Sequence, residues 1–389
     1  MSAAPRNSSY EAVVIGGGIV GLACAWRAAQ RGISVLVVER DRPAAGASGV
    51  AAGMLAPVTE AEFGEEKLLR LNLAAAARWP SFAAELAELS GLPTGYRRCG
   101  AVVVAADRDD VEELRRLHRF QRSLGLDAAW LSGRECRRLE PALSPRVAGG
   151  VLAPHDHQAD PAAVTAALAA AARSAGAHVL EGTTASVTLE GDRVTGVRLE
   201  DGGVVGSETV VLAAGAWSRG LGGLPEDALP PVRPVKGQIL QLRARTQAGS
   251  QESLVRRIVR TPRCYVVDRG DGRVVVGATV EERGFDTAIT ADGVYRLLEA
   301  AWEVLPDVGE LELVGALASL RPGSPDNGPL VGWGAVDGLL VATGHHRNGV
   351  LLAPITGDAV AALLDAADPP EELGAFDPRR FAAHLERHP

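Results

Sequence analysis

The stretch Val13-Val14-Ile15-Gly16-Gly17-Gly18-Ile19-Val20-Gly21 constrains the fold more than any other part of the chain. Three apolar residues read as a buried strand, and Gly-x-Gly-x-x-Gly (Gly16, Gly18, Gly21) turns it into a helix. Gly16 makes the tight turn, Gly18 lets a pyrophosphate reach the backbone, and Gly21 lets helix and strand pack closely. The helix start offers unpaired N–H groups and a partial positive charge to that diphosphate. A second strand, residues 34–38, ends in Glu39, about 20 residues on, where an acid accepts from ribose hydroxyls. Strand, turn, helix, strand and acid in this order predict a dinucleotide site in an α/β fold. A nicotinamide dinucleotide and a flavin dinucleotide fit that motif equally.

At 389 residues the chain exceeds one average domain, and about two are expected. Its net charge of -8, with no basic stretch, argues against a nucleic-acid partner. No run approaches the ~18 apolar residues of a membrane span. The polar residues 1–10 lack the apolar core of a signal peptide. Cys24, Cys99, Cys136 and Cys264 are scattered without metal-ligand spacing, which suits buried free thiols in a reducing cytoplasm. His155-Asp156-His157 places two histidines at i, i+2 with no third ligand in view, so it reads as a polar turn and no metal is expected.

Past Glu39, residues 46–54 (Gly-Ala-Ser-Gly-Val-Ala-Ala-Gly-Met) are small enough for backbone to lie against a flat ligand. A long amphipathic helix is expected over residues 68–90, and Asp160-Pro161 caps another. Residues 210–218 repeat the logic of the first motif, a buried strand running into a glycine turn. Residues 236–243, 264–268 and 273–279 alternate with period two and suit an antiparallel sheet. A final strand, 339–343, a polar turn, 344–349, and a helix, 350–364, return to the dinucleotide domain.

These segments, in this order, resemble the FAD-dependent amine and amino-acid oxidases related to D-amino-acid oxidase, and most closely the glycine oxidases. The most specific stretches are Ala51-Ala52-Gly53-Met54-Leu55-Ala56-Pro57 and Arg347-Asn348-Gly349-Val350-Leu351-Leu352-Ala353-Pro354. The resemblance implies a Rossmann-like FAD-binding domain (residues 10–95, 148–225 and 325–389) interleaved with a mostly antiparallel α+β substrate domain (96–147 and 226–324). It implies glycine, sarcosine or a small D-amino acid as substrate, molecular oxygen as acceptor, a link to thiamine synthesis, and a homo-oligomer, a tetramer. FAD is expected without a covalent bond, since residues 319–326 hold no cysteine.

The resemblance also assigns residues. Gly16, Gly18, Ile19, Gly21, Glu39, Arg40, Ala47, Ser48, Ala52, Gly53, Met54 and Val187 would bind FAD. So would Ala214, Gly215, Trp217, His346, Arg347, Asn348, Gly349, Val350 and Leu351. Arg321 would clamp the substrate carboxylate, because a planar guanidinium matches two oxygens. Tyr265 would be the hydroxyl beside it, and Arg347 would lie over the substrate or salt-bridge its turn. Met54, Ala56 and Arg263 would line the pocket. Arg263 stands where glycine oxidases tend to have a histidine, and it either tightens carboxylate binding or faces solvent. A non-enzymatic flavoprotein would have no need of Arg321 paired with Tyr265.

Overall fold

The computed structural model describes residues 8–244 and 253–381, so most of the stretch read as lacking a signal peptide lies outside the described residues. Strand β1, Ser9–Ile15, is buried from Ala12 onward, as a strand covered on both faces must be. It pairs in parallel with β2, Val35–Val38, and with Val204–Leu212, which pairs in parallel with Leu339–Thr343. His178–Leu180 extends the sheet beyond β2, and Leu330–Trp333 closes the other edge antiparallel. On one face Ala12, Val14, Val37 and Val211 meet Leu22, Trp26, Leu168 and Leu352 from the covering helices. The other face buries Val13, Ile15, Leu36 and Val210 against Val187, Val197 and Val232. Alternate residues of each strand thus serve two cores.

Those helices are Ile19–Gln30, Glu66–Ser90, Pro161–Ser174 and Gly349–Leu364. Asp160 caps the third by accepting from Ala162 and Ala163 N–H, with Pro161 in its first turn. Gly91, in the left-handed region, ends the second. Trp79 Nε1 donates to the Leu351 carbonyl at 2.9 Å and ties the second helix to the fourth.

The second sheet runs Glu312–Gly323, Arg233–Arg243, Arg273–Gly277, Tyr265–Asp268, Ile258–Arg260, Ala101–Ala105, Gly149–Ala153, Ala129–Ser132. Its neighbours are antiparallel except Ile258–Arg260 with Ala101–Ala105. Gly149–Ala153 pairs with Ala101–Ala105, so the chain returns to the first sheet after Ala153 rather than at residue 148. Helix Ala291–Val304 buries Leu297, Ala301 and Val304 against Leu240, Val266 and Val276. The opposite face, with Ile239, Tyr265, Val267 and Val275, turns toward Ala52 and Met54 and roofs a cleft between the two sheets. Among the described residues no helix is long and apolar enough to cross a membrane, and no group of three or more His, Cys, Asp or Glu could hold a metal.

The 155–157 turn is more than polar surface. His155 is exposed and pairs with Asp127 at 3.2 Å, whereas Asp156 is fully buried. Asp156 accepts from Val58 N–H at 3.1 Å and Thr59 N–H at 2.7 Å, anchoring the segment that leads out of the cleft wall. Burial outweighs those donors and pushes its carboxyl up to about 6. A folded value above the unfolded one stabilises the fold fully below about pH 4, and that contribution is lost as pH rises through about 6. Denaturant unfolding of wild type and Asp156→Asn should therefore show the wild type's relative stability falling by up to about 3 kcal/mol between pH 4 and pH 7. A difference independent of pH contradicts this.

Candidate functional site

The cleft, about 820 Å³, draws its walls from both sheets. At its nucleotide end Gly16 sits at φ +116°, and a Cβ there would strike the Ala213 carbonyl. A Cβ on Gly21 would overlap the Gly16 carbonyl, while one on Gly18 would meet only Ser48 Oγ, at 3.3 Å. Two glycines thus hold backbones together and the third leaves the helix start open toward the cleft. Helix Ile19–Gln30 has no acidic residue of its own in its first turn to offset its positive end. Ser48 Oγ accepts from Ile19 N–H at 2.9 Å, and Glu39 accepts from Gly17 N–H at 2.6 Å and Asp41 N–H at 2.9 Å. Arg40 lies 4.7 Å over the Trp217 ring, and Ala47, Ala52, Gly53, Ala214 and Gly215 complete this wall.

Further along, Gly349 and Val350 begin helix Gly349–Leu364, again with no acid in the first turn. The turn before it, His346–Asn348, carries unusual orphans: Asn348 Oδ1 and Nδ2 and His346 Nδ1 are buried with no hydrogen-bond partner. Buried polar atoms are normally satisfied. His346 lines the cleft, with Asn348 buried in the turn beside it. An unpaired ring nitrogen next to two open helix starts suits a flat ring with N–H and C=O edges, so the site fits FAD. Burial, then Arg347, Arg321 and Arg233, pushes His346 down to about 4, and burial pushes His345 down to about 3, so both rings are neutral at pH 7. His345 Nε2 pairs with Thr356 Oγ1 at 3.0 Å.

Under the roof, Tyr265 and Arg321 share one wall. Gly237 and Gly277 make their places. A Cβ on Gly237 would overlap the Arg321 guanidinium, and one on Gly277 the Tyr265 phenol. Arg321 Nη1 donates to the Thr279 carbonyl at 3.1 Å and the Lys236 carbonyl at 3.4 Å. Among the described residues it has no carboxylate partner, and nothing accepts from its Nε or Nη2. Burial raises the Tyr265 hydroxyl above its usual value despite the Arg321 charge, so the phenol keeps its proton.

Other assignments land differently. Arg347 is engaged by Glu65 at 2.7 Å, Glu62 at 3.1 Å and Glu60 at 3.9 Å, so its guanidinium already has its counter-charge. Arg263 lines the cleft but is exposed, and its guanidinium is paired with Glu303. Ala56 and Leu351 are buried away from the wall, with the Leu351 carbonyl taken by Trp79. Val187 lies in the core under the first sheet, and residues 183–185 form the wall there. Met54 does line the cleft, on the short strand Met54–Leu55. The sequence assigned no role in the site to Gly237, Gly277, Arg260 or Glu60. A glycine inside a period-two strand is the signal for the first two.

The model of the family described as FAD dependent oxidoreductase (DAO) matches residues 11–363. The chain therefore belongs to this family of FAD-dependent oxidoreductases. It is 34% identical over 370 residues to the glycine oxidase of Geobacillus kaustophilus, covering 94% of this chain and 96% of that one. The crystal structure of glycine oxidase from that organism superposes with a TM-score of 0.88 at 33% identity, covering 96% and 99% of the two chains. The bifunctional protein ThiO/ThiG of Synechocystis sp. is 35% identical over 96% of this chain, which spans only 54% of that protein. The hydrogen cyanide synthase subunit HcnC of Pseudomonas aeruginosa is 30% identical, covering 96% and 97%. The chain is an FAD-dependent oxidoreductase of the glycine-oxidase type, and amine oxidation is its chemistry.

Gly237→Ala tests the clearance under Arg321. A displaced guanidinium should lower kcat/KM for an amino-acid substrate by about 10- to 100-fold with flavin content unchanged. Unaltered kinetics would show that the strand yields instead.

Proposed function

We propose that this chain oxidises glycine, and other small amines such as sarcosine and D-alanine, giving from glycine glyoxylate, ammonia and hydrogen peroxide at the expense of water and oxygen. The observation that carries the reading is Arg321, a guanidinium in the cleft wall with one nitrogen held by backbone and the rest of its fork unclaimed. When bound, FAD would supply the hydride acceptor and the chemistry for reducing oxygen. The chain's own residues bind and aim. Arg321 takes the two carboxylate oxygens side by side, and Tyr265, still protonated, donates a further bond to one of them. With the carboxylate fixed, the Cα–H has one direction in which to point, and that alignment is the larger part of catalysis when the cofactor supplies the reactive group.

Met54 and Tyr265, both on the wall, favour small substrates. Each excluded methylene is worth only ~1–3 kcal/mol, so sarcosine and D-alanine should be slower rather than inert. The likeness to ThiO/ThiG and to glycine oxidases supports a role in the thiazole branch of thiamine synthesis. Four free cysteines suit a reducing cytoplasm, a tetramer follows the family resemblance, and the absence of cysteine from residues 319–326 supports non-covalent FAD.

Arg321→Ala should lower kcat/KM for glycine by at least ~10²-fold, since a charged hydrogen bond contributes ~1.5–3 kcal/mol and alignment is lost as well. Arg321→Lys should recover only part, because an ammonium cannot form two parallel bonds. Flavin content should be unchanged in both. If Arg321→Ala stays within about threefold of wild type while Arg347→Ala collapses, the clamp belongs to the other arginine.

A further inference from the structure

The strand Arg273–Gly277 and the helix Ala291–Val304 are joined by a strap, residues 278–290, that crosses the cleft. Val280 and Phe285 line the cleft, and the Phe285 ring lies 6.1 Å from the Trp217 ring on the nucleotide side. Both ends of the strap are held by one residue of the neighbouring strand, its side chain bonding Glu281 and Thr290 and its backbone bonding Thr279. Gln238 is only 1% exposed. At the far end, its Oε1 accepts from Thr290 N–H at 2.9 Å and its Nε2 donates to Thr290 Oγ1 at 3.0 Å. At the near end, Nε2 donates to Glu281 Oε1 at 2.7 Å, and the Gln238 backbone N–H donates to Thr279 Oγ1 at 2.9 Å. Thr279 Oγ1 then donates to the same Glu281 oxygen at 2.6 Å. Gly293 leaves the room for this amide, since a Cβ there would overlap it.

The near end is also where Arg321 is held. Thr279 supplies the carbonyl at 3.1 Å from Nη1, and the Lys236 carbonyl, which accepts from Glu281 N–H at 3.0 Å, supplies the other. We propose that Gln238 is a positioning residue: it closes the strap and so fixes the Thr279 carbonyl that aims the Arg321 fork at the substrate. It is not on the cleft wall, and its amide acts on Thr279 through Glu281 Oε1, to which both donate. The fully buried Lys236 backs the arrangement, its ammonium reaching Asp286 at 3.2 Å in the middle of the strap. The inference rests on the reading that Arg321 clamps a carboxylate.

The test uses the holoenzyme, with acetate as a carboxylate that cannot be oxidised and its binding followed by the change in flavin absorbance. Gln238→Leu should weaken acetate about tenfold or more, keep its flavin, and add little to the loss in glycine kcat/KM already caused by Arg321→Ala, because two residues acting through one contact are not additive. Thr279→Val should repeat the loss, and Thr279→Ser, which keeps the hydroxyl, should restore most of it; this pair decides the matter if Gln238→Leu fails to fold. Acetate binding in Gln238→Leu within about twofold of wild type, or an equal loss with and without Arg321, overturns the positioning role. If Arg321→Ala itself leaves acetate binding unchanged, the clamp reading falls and this inference with it. If Arg321→Ala weakens acetate and Gln238→Leu does not, only the positioning role falls.

Discussion

Where β1 turns into the first helix, three stretches of backbone meet with no side chain between them: the Gly16 turn, the Gly21 segment of the helix, and residue 213 at the end of the neighbouring strand. A single Cβ on Gly16 or Gly21 would drive into a carbonyl oxygen there. This close approach puts the open end of Ile19–Gln30 at the mouth of the cleft, with Glu39 bonded to the turn from the next strand. The remaining walls are arranged around that point. The helix Gly349–Leu364 packs on Ile19–Gln30 and brings its own start, with the unpaired His346 ring before it, to the other end of the cleft. The same device recurs under the roof, where Gly237 and Gly277 leave space for a guanidinium and a phenol.

Charge is sorted as carefully as space. The cleft wall carries Arg40, Arg260, Arg263, Arg321 and Arg347, and four of the five are paired with carboxylates of the chain itself. Glu60 serves two of them, while Arg321 has backbone carbonyls as partners. A carbonyl orients a guanidinium without cancelling its charge, so under the roof the field favours an anion at Arg321. The neighbouring histidines add no competing cation, because burial keeps both neutral.

Much of this was legible in the sequence because it is local. The glycine spacing, Glu39, the Asp160-Pro161 cap and the period-two strands each follow from a few adjacent residues. The family resemblance supplied Arg321 and Tyr265, which periodicity alone left as a turn residue and a strand residue. What sequence could not supply depends on distant partners. Arg347 reads equally as a substrate residue and as a salt-bridged turn residue until Glu60, Glu62 and Glu65 arrive from a segment nearly three hundred positions away. Asp156 looks like a surface turn until Val58 and Thr59 fold onto it. Gly149–Ala153 is buried along most of its length, so its pattern does not say which sheet it joins.

The most direct measurement is a single anaerobic mixing of the holoenzyme with glycine while the visible flavin absorbance is followed. The account predicts that the absorbance is lost within one turnover and returns when oxygen is admitted, with hydrogen peroxide appearing in equal amount. Absorbance that persists with glycine, sarcosine and D-alanine alike would contradict it.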